Sequence, residues 1–175
     1  MRRFSCILGL LLALTASAQI RTYGDMESKT FVIGLDSYYY GTSGSLSFTA
    51  AGIPFQAELS GGTLTVVRDG ARTVLVSGQG EALSGIHDFT GDGQPELLAA
   101  YRRSGIVLAY IYEFRHGAWT LIGKVGATGD GVSEIRVFRQ ALTIKDKDSG
   151  TLHTWTCHGG RFDFKSSAGC PDPTP

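Results

Sequence analysis

Short runs of β-branched and aromatic residues, cut at close intervals by glycine, constrain this chain more than any other feature. Leu64-Thr-Val-Val-Arg68 meets Asp69-Gly70 and resumes as Thr73-Val-Leu-Val76. Val107 to Arg115 meets His116-Gly117 and resumes as Trp119-Thr-Leu-Ile122. Leu152-His-Thr-Trp-Thr156 reaches Gly159-Gly160 and resumes as Phe162-Asp-Phe164. Two-residue reversals need positive φ, which Asp-Gly and Gly-Gly supply, so these segments read as β-hairpins. The turn glycines Gly70, Gly117 and Gly160 are 47 and 43 residues apart. Such a period suggests repeated β-meanders, as in propeller blades.

The fold expected is therefore all-β, built from blade-like antiparallel meanders. A small or incomplete propeller and a β-sandwich of the same hairpins both satisfy the pattern. Upstream, Phe31-Val-Ile33, Ser37 to Tyr40, Ser45 to Phe48 and Ile53 to Leu59 read as four short strands. They form either an extra meander or a sheet capping the first hairpin. Pro95 to Arg103 is the main helical competitor, because proline suits a first helical turn. An open array of such units leaves unpaired edges, which favour self-association.

The N-terminus carries an export pattern. Arg2 and Arg3 precede the apolar run Ile7 to Leu14, and Ala16-Ser-Ala18 supplies small residues for cleavage before Gln19. The apolar run is much shorter than the roughly 20 residues a membrane span needs. Residues 1–18 are thus expected as a cleaved signal peptide, 19–30 as a loose leader, 31–170 as one all-β domain and 171–175 as a proline-rich tail. The destination is outside the cell or the periplasm. Without Arg2 and Arg3, 14 basic residues face 16 acids, a formal charge of −2. Such a surface lacks the basic face that nucleic acid requires. Cys157 and Cys170 survive cleavage, and an even pair in an oxidising compartment reads as a disulfide.

The chemistry concentrates in Asp88-Phe-Thr-Gly-Asp-Gly-Gln-Pro-Glu96. Calcium takes several oxygen ligands, and a short loop encloses it by offering them from alternate positions. Asp88, Thr90 and Asp92 offer side-chain oxygens, Gly93 permits the sharp turn, Gln94 offers its carbonyl, and Glu96 closes the cage. An EF-hand needs an acid at its twelfth position, and counting from Asp88 that position is Ala99. A partial echo, Thr128-Gly-Asp-Gly-Val-Ser-Glu-Ile135, has Gly126 where the first loop has Asp88. Asp130 and Glu134 alone make a poor cage, and the echo reads as a structural turn.

Asp88, Asp92, Gly93 and Glu96, running into Leu97-Leu-Ala-Ala-Tyr101, resemble the calcium loop of FG-GAP and VCBS repeats. These are modules of integrin-type propellers and of many secreted bacterial proteins. The loop departs from that pattern at Thr90, where the family has Asn or Asp, and at Glu96, one methylene longer than Asp. The resemblance implies a calcium-dependent repeat domain. The function expected is a secreted calcium-binding module that engages a protein or carbohydrate ligand, with the calcium structural.

The alternative is a secreted polysaccharide hydrolase, whose two carboxyls must stand across a cleft. Glu58, Glu81, Glu113 and Glu134 are its unassigned acids. No Gly-x-Ser-x-Gly elbow is present, and Cys157 beside His158 reads as a disulfide cysteine rather than a nucleophile. Tyr38-Tyr39-Tyr40 reads as strand residues packing into the core on one face, with a sugar-stacking platform as the competing use. Asp146-Lys-Asp-Ser-Gly150 reads as a solvated turn.

Overall fold

A computed structural model describes residues 31–103, 106–128, 132–146 and 149–168. The expected signal peptide, leader and tail lie outside them, as do Asp130 and Cys170. The described residues form fourteen strands. They are β1 (Phe31–Ile33), β2 (Ser37–Gly41), β3 (Ser43–Ala50), β4 (Ile53–Ser60), β5 (Thr63–Arg68), β6 (Ala71–Val76) and β7 (Ala82–His87). After these come β8 (Glu96–Arg103), β9 (Ile106–Arg115), β10 (Ala118–Thr128), β11 (Val132–Phe138), β12 (Ala141–Asp146), β13 (Leu152–His158) and β14 (Arg161–Ala168). The protein is all-β, and the helical alternative for Pro95 to Arg103 is replaced by strand β8.

The strands group into three sheets of consecutive meanders. The first is β3-β4-β5-β6, the middle one β2-β7-β8-β9-β10, and the third β1-β11-β12-β13-β14. The four upstream strands thus neither make a separate unit nor cap one hairpin. β3 and β4 extend the first hairpin, β2 joins the middle sheet, and β1 crosses to the third. Every pairing is antiparallel except β1 with β11, which is parallel.

The hairpins form where turn chemistry places them. Asp69 and Gly70 have φ of 49° and 82°, His116 and Gly117 of 53° and 80°, and Gly159 and Gly160 of 55° and 72°. Positive φ at both central residues matches the right-handed twist of the strands that follow.

Alternation then decides the layering. Leu97, Ala99 and Tyr101 of β8 pack with Phe48, Phe55 and Leu64 of the first sheet. Leu98 and Ala100 point the other way, against Ile135, Leu142, Ile144 and Trp155 of the third. An uninterrupted apolar strand is what a sheet buried on both faces requires, because successive side chains face opposite sides. Between the first and middle sheets, Phe55 meets Phe114 edge-on at 4.8 Å and Trp119 at 5.2 Å. Tyr38 and Tyr40 pack on the third-sheet side and Tyr39 on the first-sheet side, so the tyrosine run is split between two cores.

Between the middle and third sheets contact is close. A Cβ added at Gly123, beside a bulge in β10, would lie 2.6 Å from the Phe162 ring. Gly123→Ala must displace an aromatic ring packed between two layers, and should cost about 1–3 kcal/mol. Urea denaturation reads this as a lower midpoint; a midpoint unchanged from wild type would contradict the packing.

Candidate metal centre

The site lies where β7 hands over to β8, at one end of the middle sheet. Asp88 organises the loop. Its Oδ1 accepts the N–H of Gly91 (2.7 Å) and of Asp92 (3.2 Å), and its Oδ2 accepts the N–H of Gly93 (2.9 Å). Asp92 Oδ1 accepts the N–H of Gln94 at 2.8 Å. These bonds wrap the backbone around the first acid. Gly91 and Gly93 bend it with φ of 79° and 83°, a region in which residues with a Cβ are strained.

Glu96 enters from the first position of β8. It is fully buried. Its Oε2 accepts the N–H groups of Phe89 (2.7 Å) and Thr90 (3.0 Å), and its Oε1 accepts the Thr90 hydroxyl (3.2 Å). Burial raises its carboxyl well above the ordinary range, to about 7, and the nearby Asp92 charge pushes the same way. The N–H groups of Thr90 and Phe89 oppose this shift without cancelling it.

One ligand oxygen from each of Asp88, Asp92 and Glu96 falls within 4.8 Å of the others. A carboxylate offers about four acceptor positions, so the bonds above leave about one on Asp88, one on Glu96 and three on Asp92. This all-oxygen, triply acidic set suits a hard divalent cation. Such an ion would also offset the burial cost, and the smaller repulsion from Asp92, that keep the Glu96 carboxyl protonated.

Thr90 is in the site through its bond to Glu96. Gln94 is only partly in it, because its side-chain Oε1 accepts the N–H of Ala51 at 2.7 Å. Its main-chain carbonyl is the oxygen left for a ligand role.

Several residues with no obvious role in the sequence complete the surroundings. Phe89, between two ligand positions, is fully buried and meets the ring of Phe162 edge-on at 5.5 Å. The turn between β11 and β12 docks on the loop: Gln140 Nε2 donates to the Thr90 carbonyl at 3.3 Å. His87 Nε2 lies 2.8 Å from the Arg139 carbonyl. A carbonyl only accepts, so Nε2 carries the proton there. His87 Nδ1 stands 3.3 Å from Asp36 Oδ2 without hydrogen-bond alignment. An aromatic set between the two oxygen-bearing residues Asp88 and Thr90 was the one available hint of Phe89; nothing local marked Gln140.

The other candidates disperse. Glu58 pairs with Arg72, Glu81 accepts from the Tyr40 hydroxyl, and Glu113 lies 3.4 Å from Arg115. Glu134 belongs to β11, opposite Phe31 in register. Cys157 is a buried thiol, raised by burial and then by the Glu96 charge, which opposes the thiolate a nucleophile needs. Its expected disulfide partner, Cys170, is outside the described residues. Asp146, expected in a solvated turn, is buried and accepts the Ser149 N–H at 2.8 Å. Among the described residues no helix is long and apolar enough to cross a membrane. No protein-family model, no curated protein and no solved structure matches the chain.

Proposed function

We propose that this protein is an exported calcium-binding β-repeat domain that acts as an interaction module for a protein or carbohydrate ligand, its calcium being structural. The observation that carries the reading is the convergence of Asp88, Asp92 and Glu96 oxygens within 4.8 Å. Asp88, Asp92 and Glu96 would hold the ion, with the Thr90 hydroxyl and the Gln94 carbonyl as further oxygens. The ion supplies positive charge where three acids meet. The chain's part is to hold those acids at one point and to deliver β8 into the middle sheet.

Extracellular calcium modules bind at about 10⁻⁴–10⁻³ M. With 10 mM calcium chloride as an order-of-magnitude working concentration, mass action stabilises the fold by about 1–3 kcal/mol, or roughly 3–10 °C in Tm for a domain of this size. Chelation should reverse the shift. Asp92→Ala, which removes the acid with the most spare oxygen valence, should abolish it. Melting curves that superimpose with and without calcium would remove the reading.

A further inference from the structure

The loop touches more than its own sheet. On one side the Gln94 side chain receives the N–H of Ala51, in the turn joining β3 to β4 of the first sheet. On the other, the Gln140 side chain, from the turn joining β11 to β12 of the third sheet, donates to the Thr90 carbonyl. Gln140 is itself held in place, since its main-chain carbonyl accepts the N–H of Cys157 in β13 at 2.8 Å. The fit there is tight: a Cβ at Gly91 would lie 2.1 Å from Gln140 Nε2. One nine-residue loop therefore carries polar ties to both outer layers, through two glutamines that leave the three carboxylates free to meet.

We propose that Gln94 and Gln140 are positioning residues of the metal loop, and that through them calcium clasps all three sheets together. The proposal rests on the calcium reading above. The loop's backbone is folded around Asp88 by the Gly91, Asp92 and Gly93 N–H groups. Anything that fixes Asp88 and Asp92 therefore fixes the Thr90 carbonyl and the Gln94 side chain. Those are the atoms that reach the neighbouring layers. Coupling of this kind is reciprocal: docking of the outer turns tightens calcium by the same factor that calcium tightens docking.

The experiment is amide-resolved hydrogen exchange by NMR on the full chain, with calcium chloride or chelator, alongside calorimetric titration of calcium. Wild type should show calcium slowing exchange at the Ala51 and Cys157 amides, which lie outside the loop. Gln94→Met and Gln140→Met keep length and apolar stem but lose the hydrogen bond. Gln94→Met should cancel the protection at Ala51 alone and Gln140→Met that at Cys157 alone. Each should raise the calcium Kd about two- to ten-fold, the worth of one hydrogen bond, and the loss of protection should be of the same order. Calcium binding in which protection stays within residues 88–96 would overturn the clasp and leave the calcium site standing. Titration with no binding would overturn both. The wild-type exchange pattern decides the matter even if a variant fails to fold.

Discussion

Phe89→Ala should lower the stability of the fold by about 3–5 kcal/mol, the range for truncating a fully buried aromatic. Phe89 is completely covered although it belongs to a loop. Its ring lies in the core between the middle and third sheets, edge-on to Phe162 at 5.5 Å and to His87 at 5.1 Å. Its N–H is one of the donors that Glu96 accepts. Truncation opens a cavity between two sheets that are each braced by other contacts, so collapse around it is limited. It also frees the loop segment that carries two of the proposed ligand positions, so calcium affinity should fall with stability. Urea unfolding, with the midpoint and slope compared with wild type, reads the first effect. A loss below about 1 kcal/mol would mean that Phe89 is not the anchor this packing makes it.

The second large effect is set by pH. Burial holds the Glu96 carboxyl at about 7 in the folded protein, against 4.5 for the ordinary group. Below the lower value both folded and unfolded chains carry the proton, and Glu96 imposes no penalty. As pH rises through that window, the unfolded chain releases its proton while the folded one retains it. The Glu96 contribution to stability therefore falls from about pH 4.5 to about pH 7 and is flat above. The full penalty is about 3 kcal/mol at 1.36 kcal/mol per pKa unit.

Glu96→Gln isolates this contribution. The amide oxygen can still accept the Phe89 and Thr90 N–H groups, and the Thr90 hydroxyl can turn to accept from the amide nitrogen. In chelator the variant should gain on wild type by about 3 kcal/mol between the two pH limits. Calcium should close most of that gap above pH 7, because it stabilises the wild-type fold by about 1–3 kcal/mol and has little hold on the amide. Calcium binding below pH 7 should also release a proton, weakening as acidity rises. Equal pH dependence of wild type and Glu96→Gln in chelator would show that the Glu96 carboxyl is not raised.

Much of the strand layout was legible because its signals are local. Asp69-Gly70, His116-Gly117 and Gly159-Gly160 turn the chain at the expected places, since positive φ is a property of the turn residues themselves. Leu97 to Tyr101 was legible as apolar but ambiguous between helix and strand. Length and periodicity cannot separate a doubly buried strand from a short helix. Its neighbours β7 and β9 settle the matter by pairing on both sides.

Other features had no local signal. The β11–β12 turn contains no glycine, yet Arg139 has φ of 52° and its carbonyl meets His87. That conformation is held by contacts from residues far away in the chain. Asp146 looks like any solvated turn acid until the third sheet buries it. Gln94 carries an oxygen useful to a metal or to a neighbouring turn, and only the position of Ala51 directs its side chain to the turn.

By itself, the sequence determined that strands would form, where most hairpins reverse, and that Asp88, Asp92 and Glu96 share a loop able to gather them. Each of these follows from steric and hydrogen-bonding preferences within a few residues. Only the tertiary structure decided that β1 runs parallel in the third sheet and that the middle sheet is covered on both faces. It alone placed that loop between two outer turns. Those outcomes depend on pairings across dozens of residues, where burial of whole faces outweighs local preference.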